Sequence, residues 1–202
     1  MKYYKALLFG SIGSIVETSE IQRKSFNEAF KQYGLEWNWT KHEYQNLLSK
    51  SGGKGRISRY AKKKKKVVDS AYLRNLKTKI FNNYLKKNHL KLRPGVKNLI
   101  AICKKNKIKI AFVSSTSSNN INAILYSLRN SINKRDFNFI GNAKLVKRLK
   151  PNPDIYLLSL KKLKLKANDC VAIEDTQESL NSARRAKIKC IIFPGKFHSS
   201  KK

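Results

Sequence analysis

The chain has 202 residues, of which 41% are hydrophobic, enough for one packed domain with a modest insertion and too many for global disorder. Its 45 Lys and Arg against 12 Asp and Glu give a formal net charge of +33, strong enough to bind polyanions such as RNA or DNA through their phosphates. No apolar run approaches the ~18 residues of a spanning helix, and the amino terminus lacks a signal-peptide core, so a soluble protein of the cytoplasm or an organelle stroma is expected.

Residues 3–9 cluster apolar groups as a strand does and run into the small-residue turn Gly10-Ser11-Ile12-Gly13-Ser14. Ile21, Phe26, Ala29, Phe30 and Tyr33 then recur at helical spacing over 19–33, and Gly34 ends that helix. Trp37, Trp39, Tyr44, Leu47 and Leu48 are expected to mark a second helical arm, broken at Ser51-Gly52-Gly53. Basic helices are expected over 56–61 and 67–87, the latter with a stripe of Val68, Ala71, Tyr72, Leu76, Ile80, Phe81 and Tyr84. Lys62–Lys66 is an unbroken lysine run, read as a solvated face or exposed turn, with a phosphate-contacting patch as the sharper alternative.

From Leu92 the rhythm changes to a turn, a helix (96–105), a strand (108–113), a helix (119–129) and a short strand (137–140). A helix (153–163), a strand (170–174), a helix (176–186) and a strand (189–193) follow, and the tail after Pro194 is expected to fray. Strands separated by helices of about ten residues predict βαβ units and a parallel sheet, with a helical block inserted after the first strand. Cys103, Cys170 and Cys190 are isolated, so buried reduced thiols are expected, neither a disulfide framework nor a zinc site.

Several segments together resemble one family. "ETSEIQRKSFNEAFKQYGLEWNW", "YQNLLSKSGGKGRISRY", "LRPGV", "VSSTSSNN", "LKPNPDIYLLSL" and "CVAIEDTQESLNSARRA" are similar to the CbbY-like branch of the haloacid dehalogenase (HAD) superfamily, which includes xylulose-1,5-bisphosphate phosphatases and relatives of β-phosphoglucomutase. The resemblance covers essentially the whole chain. It implies an α/β fold, a HAD-like Rossmannoid parallel-sheet core (1–16 and 91–202) with an inserted all-helical cap (17–90). It implies phosphate-binding roles for Ser115, Thr116 and Lys150, a substrate-facing cap loop at Gly53, Lys54 and Arg56, and metal-binding acids at Glu174 and Asp175, which would hold Mg²⁺. It also implies a further strand and helix beyond "CIIFPG"; here the chain ends in HSSKK, so a smaller or less covered sheet edge is expected.

The departures fall on the chemistry. Phosphoryl transfer through a covalent intermediate needs a carboxylate nucleophile and a second carboxyl to protonate the leaving oxygen. The family pattern Phe-Asp-x-Asp-Gly-Thr carries both; here those positions are Gly10 and Ile12. Glycine can form no phospho-enzyme, and an aliphatic group moves no proton. Losing one carboxylate is also expected to weaken Mg²⁺ binding, because that ion takes few protein ligands. Glu17 lies past the loop and is not expected to stand in as nucleophile.

Three readings stay open at this point. The chain is a phosphatase-inactive HAD homologue that retains a pocket for a phosphorylated small molecule, or an active Mg²⁺-dependent sugar-phosphate phosphatase, or a basic RNA- or ribosome-associated module on a HAD scaffold. Compositional drift in an AT-rich genome and nucleic-acid binding both stay open as origins of the charge, and the shortage of acids is harder to assign to drift because Glu also has an A-rich codon.

Overall fold

The computed structural model describes residues 3–49 and 52–197; Ser51 of the expected break, and the tail residues 198–202, lie outside them. The first strand, β1 (Ala6–Phe9), is followed by a one-turn helix, α1 (Ile12–Ile15), and four helices, α2 (Ser19–Gln32), α3 (Lys41–Leu47), α4 (Gly53–Lys63) and α5 (Ser70–Lys87). Helices and strands then alternate: α6 (Val96–Lys105), β2 (Lys109–Val113), α7 (Ser118–Ser127), β3 (Phe139–Gly141), α8 (Asp154–Leu163), β4 (Cys170–Glu174), α9 (Gln177–Arg185) and β5 (Lys189–Ile192). The five strands form one sheet in the order β3-β2-β1-β4-β5, every pair parallel, with Ala6 level with both Lys109 and Cys170.

The sheet separates two apolar layers, because alternate residues of a strand face opposite ways. Leu7, Phe9, Ile110 and Phe112 pack with Val96, Ile100 and Ile124 of α6 and α7. Ala6, Leu8, Ala111, Val113, Cys170 and Ala172 pack with Ile155 and Tyr156 of α8 and Ala183 of α9. The cysteines are free thiols, two buried and Cys190 half-buried; burial pushes Cys170 up to about 11 and Cys190 up to about 12.

Helices α2–α5 gather around a third, aromatic cluster of Phe26, Phe30, Trp39, Tyr44, Ile57, Tyr60 and Leu73. Trp37 and Trp39 do not belong to a helix. They sit in the extended link before α3, which starts later at Thr40, whose hydroxyl accepts from the Glu43 N–H while the Glu43 carboxylate accepts from the Thr40 N–H. Trp39 is fully buried because its indole meets Phe26 and Phe30 at 4.8 and 4.7 Å between ring centroids. Helix α5 also starts later than expected, at the Asp69 cap, and its fully buried face shares only Phe81 with the expected stripe, Leu76 and Ile80 being half-buried. Ser70, Leu73, Lys77, Phe81 and Leu85 face inward, while Ala71, Tyr72 and Tyr84 are exposed. A lysine standing in the buried row hid its period.

The lysine run ends α4 and forms the exposed turn behind it, as one of its two readings has it. The first strand starts at Ala6, not at Tyr3, which is 81% exposed. The described part of the tail is docked: the Lys196 N–H donates to the Glu17 carboxylate at 2.8 Å, and the Phe197 ring lies 6.0 Å from that of Tyr44. Strand β5 is an edge, with Ile191 and Ile192 exposed.

Candidate functional site

All strands are parallel, so their carboxyl ends share one side of the sheet, where ligands sit in folds of this kind. There the loops after β1, β2 and β4 meet the helices of the insertion around a cleft of about 660 Å³. Gly10, Ile12, Ser115, Thr116, Lys150 and Asp175 line it from the sheet, and Gly53, Lys54 and Arg56 line it from the helical side. The structure thus brings together every residue singled out in the sequence except Glu174.

Glu174 stands behind the cleft, fully buried, because position 10 has no side chain. A Cβ at Gly10 would lie 2.1 Å from Glu174 Oε1 and 2.2 Å from the Tyr156 hydroxyl oxygen. The space of a side chain at position 10 is therefore filled from below by a carboxylate and a phenol. Glu174 Oε1 accepts from the Tyr156 hydroxyl at 2.5 Å and from Lys150 Nζ at 2.5 Å. Its Oε2 is buried without a hydrogen-bond partner among the described residues. Burial raises the Glu174 carboxyl above its usual range although the Lys150 charge works against this, and burial together with the Glu174 charge raises the Tyr156 phenol well above its own.

Lys150 is correspondingly engaged. Its ammonium donates to Glu174, to the Gly10 carbonyl and to the Val113 carbonyl at 3.0 Å, and an ammonium has three protons to give. The lysine expected to neutralise a phosphate thus holds a buried carboxylate and two strand ends.

Helix α7 opens at this edge. Ser117 Oγ accepts from the Asn120 N–H at 3.4 Å, and Thr116 Oγ1 accepts from Asn120 Nδ2 at 2.9 Å. Ser115 Oγ accepts from the Lys150 N–H at 3.4 Å. Ser115 and Thr116 so face the cleft at a helix N-terminus, the end of a helix that favours anions. Ile12 opens α1 behind its Ser11 cap and packs on the core layer beneath.

Two carboxylates side by side are a sparse donor set for a divalent cation. Mg²⁺ requires near-ideal octahedral oxygen geometry. Among the described residues no three His, Cys, Asp or Glu come together. Glu174 already shares one oxygen with Lys150 and Tyr156 outside the cleft lining, and Asp175 lies against Gly13, where a Cβ would come 1.7 Å from its Oδ2. The residues present do not fit a dedicated Mg²⁺ site.

On the helical side Arg56 is buried, with Nε donating to the Leu47 carbonyl at 3.0 Å and its guanidinium 5.8 and 5.5 Å from the Phe26 and Tyr44 ring centroids. Burial lowers its pKa. Lys77, which the motifs do not mark, also lines the cleft. It is 7% exposed, donates to Gln22 Oε1, and lies 4.8 and 4.9 Å from the Phe26 and Phe81 centroids. Burial, helped by the charges of Arg56 and Arg74, pushes it down to about 7. Its only sequence signal is position, midway at four-residue steps between Leu73 and Phe81.

Glu17 lines the cleft as well, but its oxygens accept from the Ser19 and Lys196 N–H groups at 2.9 and 2.8 Å. Burial opposes these bonds, yet with the Arg93 charge they hold its carboxyl below the usual value. A carboxylate fixed this way serves as a tether.

Among the described residues no helix is long and apolar enough to cross a membrane. A family model described as haloacid dehalogenase-like hydrolase matches residues 13–193. Protein CbbY of Cereibacter sphaeroides is 34% identical over 194 residues, which is 95% of this chain and 84% of that protein. A CBBY-like protein of Arabidopsis thaliana is 32% identical over 93% of this chain and 62% of its own length. The crystal structure of CbbY from Rhodobacter sphaeroides in complex with phosphate superposes with a TM-score of 0.88 at 33% identity, covering 98% of this chain and 90% of that one. A mutant of the same protein in complex with xylulose-(1,5)bisphosphate gives 0.86 at 32%, with the same coverage. The fold, the cleft and these likenesses agree: the chain belongs to the haloacid dehalogenase-like hydrolases, in their CbbY-like branch.

Proposed function

We propose that this chain is a phosphatase-inactive CbbY-type homologue that binds a phosphorylated small molecule without hydrolysing it. The observation that carries this reading is position 10. No carboxylate stands there, and Glu174 Oε1 and the Tyr156 hydroxyl occupy the space where one would begin. Ile12 supplies no proton, Glu17 is tethered, and the remaining acids make a poor Mg²⁺ site. What remains is an anion cradle: Ser115 and Thr116 at the start of α7, and Lys54 and Lys77 across the cleft. Lys150 acts from behind as the counter-charge of Glu174. Residues 17–90 serve as the cap over a core formed by 1–16 and 91–202, with the aromatic cluster as the cap's own centre.

The test is Mg²⁺-dependent phosphate release from sugar phosphates, with xylulose-1,5-bisphosphate among them because a relative binds it. The wild type is expected to release none and to bind the same compounds at equilibrium. Replacing Gly10 and Ile12 by Asp alone places a Cβ 2.1 Å from Glu174 Oε1, so the restored variant also carries Tyr156→Phe, which removes the nearby hydroxyl and lets Glu174 move. Turnover by the triple variant alone supports a binder that has lost its chemistry. Turnover by the wild type, in proportion to its concentration, overturns the proposal in favour of an active Mg²⁺-dependent sugar-phosphate phosphatase.

A further inference from the structure

The end of the sheet away from the cleft carries a second feature. In a parallel sheet the strands all start on one side, and the helices that return the chain finish there too. Each strand here is entered from a loop with an exposed cation: Lys5 before β1, Lys107 before β2, Lys134 before β3, Lys166 before β4 and Lys187 before β5. The last turns of α6, α8 and α9 add two basic residues each. The entry segments are knit into one rim: the Lys5 N–H donates to the Asp169 carbonyl at 2.7 Å, the Lys109 N–H to the Lys5 carbonyl at 2.9 Å, and Lys109 Nζ to the Leu163 carbonyl at 2.8 Å.

The acids on this rim are already neutralised. Asp169 pairs with Lys5 at 3.2 Å and Asp136 pairs with Lys104. The sequence holds no other acid in 103–110, 128–140, 160–171 or 183–190. Lysine at a helix C-terminus is favourable on its own account, since it faces the negative end of the helix. That accounts for single lysines at single helix ends. It does not account for a cation on every strand-entry loop with no unpaired acid among them.

We infer that this rim is a docking face for the phosphate backbone of a nucleic acid, held without base reading. Strands about 4.8 Å apart make the row of five loops about 19 Å wide. A duplex of that length presents roughly eleven phosphates, so several rim cations can each meet one. An acidic protein fits the rim less well, because stable protein interfaces have an apolar centre. Of the apolar residues in these entry loops, Ile108, Leu165 and Ile188 are half-buried or buried, and Tyr3, 81% exposed, stands alone without an apolar patch around it. This inference is independent of the cleft and survives whatever the cleft binds.

The test exploits the backbone. Lys107, Lys164 and Lys187 all have positive φ, so Lys107→Gly/Lys164→Gly/Lys187→Gly removes three rim charges while giving each position the residue that fits it best. Lys63→Gln/Lys64→Gln/Lys66→Gln removes three charges from the helical insertion instead. Binding of a short duplex RNA, a duplex DNA and a single-stranded RNA is followed by fluorescence anisotropy against salt, with circular dichroism to check folding. If the glycine variant does not fold, Gln at the same three positions replaces it. For duplexes the rim variant is expected to lose ~2.7 from the slope of log K against log salt and on the order of 100-fold in affinity at ~0.15 M salt. The control variant is expected to stay within a few-fold of wild type, and the three probes reveal which form is preferred. Equal losses in both variants, no binding of any nucleic acid by the wild type, or equal affinity for anionic lipid vesicles or polyglutamate would each overturn the inference.

Discussion

A missing side chain at position 10 does not leave an empty site. Glu174 and Tyr156 occupy it, and Lys150 is bonded to Glu174 there. None of this was legible in the sequence, where Gly10, Lys150 and Glu174 are distant positions with separate motif roles; only the fold makes them compete for one volume. Lys77 carries a measurable consequence. From about pH 7 to pH 10.5 the unfolded chain holds a proton there that the folded chain has shed, so stability rises as pH rises through that window, by at most on the order of 5 kcal/mol. Urea unfolding at pH 7 and pH 9.5 is expected to show this rise in the wild type and much less of it in Lys77→Met. A bound anion favours the ammonium, so wild-type affinity for a phosphorylated ligand should fall as pH rises above 7, and the variant should bind more weakly with a flatter pH profile.

At the scale of elements, the strand-helix rhythm after Leu92 was readable because each strand is a short apolar run and each helix has a clear stop. The parallel sheet and the positions of α6–α9 follow from it, the latter with shifts of one or two residues, while the strand order is visible only in the structure. The insertion was read less well. The Thr40–Glu43 capping pair was a usable signal for α3, but the two tryptophans drew attention to the link before it. In α5 a buried lysine broke the apolar count. Helix ends show another trait of this chain. Helices α4, α6, α8 and α9 each finish with a lysine in the left-handed region, at Lys65, Lys107, Lys164 and Lys187, and a bond from the next N–H back five residues closes each end. Glycine suits that conformation better by about 1 kcal/mol. Lys107→Gly, Lys164→Gly and Lys187→Gly made singly are each expected to raise the melting temperature by a few degrees in a thermal scan, and a fall at any of them would show that its lysine makes a compensating contact.

For the whole molecule, charge is the dominant unusual quantity. Five of the twelve acids form ion pairs among the described residues, and Glu43 and Asp69 cap helices. Most of the acids have structural work, while the chain carries 45 basic residues, of which Arg56, Lys77 and Lys150 are the buried ones among the described residues. Such a surface repels itself, and salt screens the repulsion over about 10 Å at 0.1 M. The melting temperature is therefore expected to climb between about 0.02 and 0.3 M NaCl, opposite to a protein held by surface ion pairs; a flat or falling curve would mean that the cations are already compensated. The sequence declared the amount of charge, but only the parallel sheet reveals that every strand-entry loop on the side away from the cleft carries an exposed cation.

The filled space behind Gly10 also bears on descent. An aspartate arriving there alone would bring its Cβ 2.1 Å from Glu174 Oε1 and 2.2 Å from the Tyr156 hydroxyl oxygen, so both side chains would have to shift before it fits. With that space already taken, the loss is harder to reverse than a bare point change. Return to hydrolysis then takes changes in the 10–12 loop and at Tyr156 of α8 together, which no single mutation supplies.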